Sequence, residues 1–368
     1  MSVSDKPLVL MMAGGTGGHV YPALAVAIEL RDRGYRVEWM GTSRGLEASV
    51  VPAAGFTLHF LTVRGIRGKS PLWKFLGLLS LSMAAIQALM LIWRCSPQCV
   101  VGMGGYAAGP GGVAAWLLGK SLLIHEQNSV AGTTNRMLAP FAKKLLAGFP
   151  GAFKERVDAL VVGNPVRREF MVVGSGRLYN YDGQGTLHLL VVGGSLGARP
   201  INDVVPRAVQ AIIESKNGAK IAVWHQAGKA HYEAVCEAYG SLLNNGVRVS
   251  AFIDDMARAY NWSDLVLCRA GALTVSELAI AGRPSILIPL PQAIDDHQTE
   301  NARSLSECGG AILLDQSGLD PDALTTLLRG LLVSPKRLIA MAAAALGAAR
   351  PGATERVCDC CEELINGC

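Results

Sequence analysis

Two stretches of this chain read alike: PLVLMMAGGTGGH at 7–19 and LHLLVVGGSLGA at 187–198. They align at a constant offset of 179 residues, nearly half of the 368-residue chain. Each runs from apolar residues into Gly-Gly-Thr or Gly-Gly-Ser, one more glycine and a helix-like segment. An apolar run closed by glycines reads as a buried strand turning into a helix start. The alternation continues outward from both. After the first come VEWM (37–40), TLHFL (57–61), CVVG (99–102), SLLIH (121–125), KLLAG (144–148) and ALVVG (159–163). After the second come KIAVWH (220–225), VRVSAF (247–252), DLVLC (264–268), PSILIP (284–289) and AILL (311–314). Apolar strands alternating with helical stretches predict parallel, doubly wound α/β sheets. A repeat of this size predicts two similar domains facing each other across a cleft, with ligands at the carboxyl ends of the strands. The first helix is expected from Tyr21–Pro22 to about Arg33, Pro22 suiting a first turn. The Gly-rich stretch 174–186 is expected to be a surface loop, and the last forty residues all-helical.

Composition narrows the class. Half of the residues are hydrophobic, 17% are charged and 42 are glycine, with a mean hydropathy of +0.30. This excludes disorder, and the length excludes a disulfide miniprotein. Nine scattered cysteines give no disulfide framework and fit a reducing compartment. The tail residues Cys358, Cys360, Cys361 and Cys368 offer one Cys-x-x-Cys spacing, Cys358 to Cys361, but no second one to pair with it and no nearby His, so they read as a small-residue helix end rather than a metal site. Net charge is +8 over 1–163 and −3 over 164–368; between Ala48 and Lys154 one acid, Glu126, faces ten basic residues. Such asymmetry points to nucleic acid or an anionic membrane. No aromatic stacking platform or nucleic-acid motif accompanies it, so no nucleic-acid partner is expected. Phe75–Trp93 has nineteen residues without a charge, long enough for a membrane span. Its Ser80, Ser82 and Gln87, its basic flanks and its place inside the α/β alternation favour a helix packed on one face and touching lipid with the other. Polar Met1–Lys6 gives no secretory leader.

The glycine loops carry the candidate chemistry. Gly14-Gly15-Thr16-Gly17-Gly18-His19 ends a strand and opens a helix, offering free N–H groups to a phosphate. It lacks the Gly-Lys-[Ser/Thr] of a Walker loop and the third glycine of the dinucleotide fingerprint; a plain tight turn is the alternative. His19 reads as a general base or as a structural histidine, and its repeat counterpart is Ala198. The Gly193–Gly197 loop, with Ser195, repeats the cradle. GMGGYAAGPGG (102–112) is expected on the same rim, with Tyr106 at a ligand or packed. In CRAGALTVSE (268–277), Gly271 opens another helix, and Glu277 suits ribose hydroxyls or a salt bridge to Arg283. In the cluster 295–301, Gln298 suits sugar hydroxyls better than a metal. Asp320-Pro321-Asp322 spells Asp-x-Asp, but its context makes Asp320 a helix cap. No metal and no cofactor are expected; helix dipoles stabilise the leaving diphosphate.

Eight strings occur in order across roughly 290 residues: GGTGGHVYPALAVA, GGYAAGP, HEQNSVAGTTN, GNPVR, GGSLGARPIN, FIDDMARAY, CRAGALTVSEL and DDHQTENA. Together they resemble the MurG family of bacterial peptidoglycan N-acetylglucosaminyltransferases. The resemblance implies a GT-B fold of two Rossmann-like domains. Residues 1–163 would be the acceptor and membrane-contact domain, 164–345 the UDP-GlcNAc domain, and 346–368 a helix crossing back. It implies inverting transfer of GlcNAc from UDP-GlcNAc to the C4 hydroxyl of MurNAc in undecaprenyl-pyrophosphoryl-MurNAc-pentapeptide, converting lipid I to lipid II. It places Thr16, Gly17 and Gly18 at the sugar-donor and acceptor-diphosphate junction, with His19 as base. It puts Asn128 and Arg167 on the donor, Ser195 on the diphosphate and the Ile253 backbone on uracil. Ala272, Leu273, Thr274, Val275, Ser276 and Glu277 would wrap the nucleotide, and Gln298 the sugar. The implied location is peripheral, on the cytoplasmic side of the inner membrane, with its anionic surface and cell-wall synthesis and division proteins as partners. The tail cysteines and the Asp-rich DDHQ loop depart from the family pattern. A UDP-GlcNAc 2-epimerase, a non-catalytic nucleotide-sugar-binding subunit and an integral membrane protein are the competing readings.

Overall fold

The computed structural model describes residues 6–62, 71–154, 156, 158–176, 179–215, 220–291 and 296–367, with the side chains of 71–79, 172 and 174–176 set aside. The chain forms two compact units, 1–167 with 352–368 and 168–351.

The first unit holds a parallel sheet of β1 (Leu8–Met12), β2 (Arg36–Gly41), β3 (Thr57–Phe60), β4 (Cys99–Gly102), β5 (Ser121–Glu126), β6 (Lys144–Ala147) and β7 (Leu160–Val161), ordered β3-β2-β1-β4-β5-β6-β7. Its helices are α1 (Gly17–Asp32), α2 (Glu47–Ala53), α3 (Pro71–Cys95), α4 (Ala108–Leu117), α5 (Thr133–Leu138) and the last helix of the chain. The second unit repeats the plan. After α6 (Arg168–Gly176) come β8 (Leu187–Val192), α7 (Arg199–Ile213), β9 (Ile221–Gln226), α8 (Tyr232–Tyr239), β10 (Val247–Ser250) and α9 (Met256–Trp262). They are followed by β11 (Leu265–Cys268), α10 (Ala272–Ile280), β12 (Ser285–Leu287), α11 (His297–Ser306), β13 (Ala311–Leu313), α12 (Pro321–Leu332) and α13 (Pro335–Ala348). The order β10-β9-β8-β11-β12-β13 matches the first unit, so both sheets reverse beside the strand that carries the repeat. Loops leaving β1 and β4, or β8 and β11, therefore meet at a switch point. The central strands are buried along their whole length, which explains their unbroken apolar runs.

Two expectations need correction. The first helix begins at Gly17 rather than Tyr21, so Pro22 lies inside it. The glycines that shape the turn are already helical, and Pro22, near the N-terminal end, costs the helix only its Pro22-to-Gly18 bond. Residues 174–186 are not all surface loop: α6 runs to Gly176, and Tyr181 is buried in the second unit's core with its hydroxyl directed to the Leu332 carbonyl. The apolar segment forms α3, as expected, and no single helix among the described residues is long and apolar enough to cross a membrane. The basic residues 64–69 lie outside the described residues, as do the side chains of 71–79.

α14 (Ala353–Asn366) returns to the first unit and packs on α1. Cys358, Cys360 and Cys361 are buried there among Val26 and Ala27, and Cys358 Sγ points at the Val26 carbonyl. Small thiols let this helix approach an Ala-rich partner closely. Arg33 ties the seam with Asp359 at 2.7 Å and Glu362 at 3.3 Å. Asp320 caps α12 through the Asp322 and Ala323 amides, as its context predicts.

Candidate active site

In the first unit the loops after β1, β4 and β5 converge. Thr16 is the N-cap of α1 in extended conformation, and no side chain caps that helix, so the Gly17 and Gly18 amides point outward. The loop is fixed from below by Glu47, which is fully buried. Its carboxylate accepts from Gly15 N at 2.8 Å, Thr42 N at 2.9 Å and Thr42 Oγ1 at 2.7 Å. A Cβ on Gly14 would lie 2.5 Å from that carboxylate, so this glycine is required by close approach. The loop after β4 closes the other side. Gly104, at φ +95°, lies against the His19 ring, where a Cβ would sit 2.8 Å from Nδ1.

His19 is half-buried, and its Nδ1 lies 2.8 Å from Gln127 Oε1. Gln127 Nε2 continues to His125 Nδ1 at 3.0 Å, and His125 Nε2 reaches the Gly163 carbonyl at 2.9 Å. Burial pushes His125 down to about 4, so it is neutral at pH 7. The neighbouring Glu126 is buried and takes Asn128 N and Nδ2 on one oxygen, Gly132 N and Asn135 Nδ2 on the other. It thereby sets Asn128 in place. Arg167 stacks its guanidinium 5.6 Å from the Tyr21 ring centre, on the same helix as His19.

The second unit builds a separate cradle. Ser195 and Leu196 are exposed at the tip of the Gly193–Gly197 loop. Gly197, at φ +78°, and Gly228, at φ +84°, pack backbone on backbone, which seats the loop. Beneath it Asn202 donates to Ala227 O and accepts from His225 Nε2, and Gln226 donates to Gly194 O. His225 is pushed down to about 3 by burial, so this support is uncharged. Gly271 caps α10 without a side-chain bond. Glu277 is half-buried and accepts from the Tyr260 hydroxyl at 3.2 Å. Ile253 is buried in the loop between β10 and α9. Gln298, in the first turn of α11, accepts from Leu290 N through Oε1, which directs its amide within the loop after β12. Arg269 braces that loop through the Ile288 and Pro289 carbonyls and Gln316.

Residues 9–147 match the glycosyltransferase family 28 N-terminal domain, and residues 188–357 match its C-terminal domain. The chain belongs to glycosyltransferase family 28. A relative from Tolumonas auensis is 47% identical over 97% of this chain and 99% of its own length. One from Pseudomonas putida strain W619 is 48% identical over 99% of both. Both are named UDP-N-acetylglucosamine–N-acetylmuramyl-(pentapeptide) pyrophosphoryl-undecaprenol N-acetylglucosamine transferase. The crystal structure of MurG from Acinetobacter baumannii superposes with a TM-score of 0.82 at 36% identity, covering 97% of this chain and 99% of that one. The kitacinnamycin glycosyltransferase, at 17% identity and a TM-score of 0.70, shares the fold alone. The α/β expectation holds: the fold is GT-B.

Within this family 28 chain the residues expected to wrap the nucleotide divide. Ala272 and Val275 turn their side chains into the core, and the Val275 amide is bonded to Gly271 O. Ser276 Oγ is bonded to Ala272 O. The helix start therefore offers the Ala272, Leu273 and Thr274 amides, followed by the Glu277 carboxylate one turn on. Sequence reading missed Glu47, Gln127 and Arg269 as supports of the loops.

Proposed function

We propose that the enzyme moves N-acetylglucosamine from UDP-GlcNAc to the C4 hydroxyl of MurNAc in undecaprenyl-pyrophosphoryl-MurNAc-pentapeptide, with inversion at the anomeric carbon. The observation that carries this reading is the 47–48% identity, over nearly the whole length, to transferases bearing that name. Identity on this scale also favours a transferase over an epimerase or a non-catalytic subunit. The second unit holds the nucleotide: the Gly193–Gly197 amides and the α10 start face the diphosphate, the Ile253 backbone the uracil and Glu277 the ribose, while Gln298 takes sugar hydroxyls. The first unit holds the acceptor: the Gly17 and Gly18 amides face its diphosphate, and His19 takes the hydroxyl proton. Asn128 and Arg167 reach the donor sugar.

Membrane attachment is peripheral, on the cytoplasmic face. On α3, Ala84, Ala88 and Ile92 are buried, while Met83, Ile86, Met90 and Trp93 are exposed. α4 packs beside α3 and adds exposed Trp116 and Leu117. An apolar face of this extent in a basic unit suits an anionic leaflet. The test is incubation with labelled UDP-GlcNAc and a lipid I analogue. A lipid-linked disaccharide is expected, with kcat lowered about 10²–10⁴-fold in His19→Ala. Conversion of UDP-GlcNAc without acceptor would sink the transferase reading, and an unchanged kcat would remove His19 from the chemistry.

A further inference from the structure

We infer that Gln127 is a positioning residue that holds His19 in its Nδ1–H tautomer, so that Nε2 is the nitrogen receiving the acceptor proton. The inference rests on His19 being the base proposed above, but the tautomer itself follows from hydrogen-bond logic. Gln127 Nε2 lies 3.1 Å from the His125 carbonyl oxygen. A carbonyl oxygen only accepts, so the amide group facing it is NH2 and not oxygen. The amide oxygen then faces His19 Nδ1 at 2.8 Å. That oxygen also only accepts, so Nδ1 must carry the hydrogen.

The far end of the chain agrees. His125 Nε2 faces the Gly163 carbonyl at 2.9 Å and must donate to it. A neutral His125 therefore has a lone pair on Nδ1, which accepts the second N–H of Gln127 at 3.0 Å. Burial keeps this histidine neutral at pH 7. Asn164 Nδ2 holds the Gln127 backbone carbonyl at 2.9 Å, Gln127 is 1% exposed, and turning its amide over would set oxygen against the His125 carbonyl. Every donor along the chain meets an acceptor, and only one arrangement of hydrogens satisfies all of them. Among the described residues His19 Nε2 makes no hydrogen bond, which leaves its lone pair for substrate.

An imidazole free in water carries its hydrogen mostly on Nε2, the wrong nitrogen for this geometry. The support thus acts before any substrate arrives. In the reaction the acceptor O–H bond breaks and its proton moves to Nε2. The oxygen pair forms the new bond to the anomeric carbon while the bond to UDP breaks, its electrons leaving with the diphosphate. His19 becomes an imidazolium whose Nδ1–H still donates to Gln127.

The experiment uses the full-length protein labelled with 15N-histidine, read by two-bond 1H–15N correlation, alongside steady-state kinetics. Native His19 is expected to show a protonated Nδ1 and an unprotonated Nε2. Gln127→Met removes both partners at similar length. It is expected to move His19 toward Nε2–H and lower kcat about 10–10³-fold, short of the loss from a wholly wrong tautomer, with the UDP-GlcNAc KM within about threefold. Gln127→Glu keeps an accepting oxygen and is expected to retain the Nδ1–H form and recover part of kcat. A native His19 protonated on Nε2 would overturn the inference, as would a Gln127→Met protein with tautomer and kcat both unchanged. Unchanged kcat in His19→Ala, with the native tautomer as expected, would instead reject the general-base reading alone.

Discussion

Glu47 offers the sharpest test of how the first glycine loop is held. Its two oxygens serve three donors: Oε2 takes Gly15 N, and Oε1 takes both groups of Thr42. Glu47→Gln is nearly isosteric, so packing is kept and only hydrogen bonding changes. The amide oxygen will keep the Thr42 pair, leaving an NH2 group opposed to the Gly15 N–H. One bond to a charged acceptor is lost and one donor is stranded, at a cost of about 2 kcal/mol. Glu47→Ala strands all three donors and opens a cavity, at about 3–5 kcal/mol. Urea unfolding of the full-length protein reads these costs. Amide exchange at Gly15 reads the local part: about 2 kcal/mol corresponds to roughly thirtyfold faster exchange. Thr16, Gly17 and Gly18 move with the loop, so the apparent acceptor KM is expected to rise. A Glu47→Gln protein that loses under about 0.5 kcal/mol and keeps its Gly15 exchange rate would show that the carboxylate does not hold the loop.

Other consequences can be checked separately. Glu277→Ala should raise the UDP-GlcNAc KM with kcat nearly kept, and a pure kcat defect would remove Glu277 from the ribose. The His125 pKa falls from 6.5 to about 4 on folding, so between those values the unfolded chain binds a proton that the folded chain refuses. Stability is therefore full above pH 6.5 and declines as pH falls toward 4, by about 3 kcal/mol over the window. Urea midpoints of the full-length protein at pH 7 and 5 should show this, and His125→Asn should flatten the slope; an equal slope in the variant would refute the assignment. Trp93 is 73% exposed on α3, and burying it in lipid contributes about 3 kcal/mol. Trp93→Ser should thus weaken binding to anionic vesicles roughly a hundredfold, and equal binding would move the contact elsewhere.

The glycine loops were legible in the sequence because backbone needs are written in residue type. Gly14 must yield to a carboxylate, and Gly104 and Gly197 need positive φ. No other residue serves there, so the 179-residue repeat stands out even where the side chains have diverged. The supports were not legible, because they are set by sheet register. Met12 pairs with Met40, which brings the turn after β2 under the turn after β1 and places Glu47 beneath Gly15. Nothing in the 32-residue separation of Gly15 and Glu47 announces it. Gln127 was hidden for a related reason: its importance lies in which atom of its amide faces which neighbour. The start of α1 was misjudged because Pro22 carries a strong first-turn signal, whereas the true start needs only glycines and an extended Thr16.

The helix that ends the chain also sets an order of events. Residues 353–366 complete the core built by residues 8–163, with Val357, Cys358 and Cys361 filling space beside Val26 and Ala27. During synthesis the N-terminal residues emerge first, but the piece that seals them follows only after the whole of the second unit. The middle unit, 168–351, is continuous and has all of its parts before then. The second unit therefore has all of its parts in place while the core between α1 and the first sheet still lacks α14, whereas the core under α3 and α4 draws on none of it.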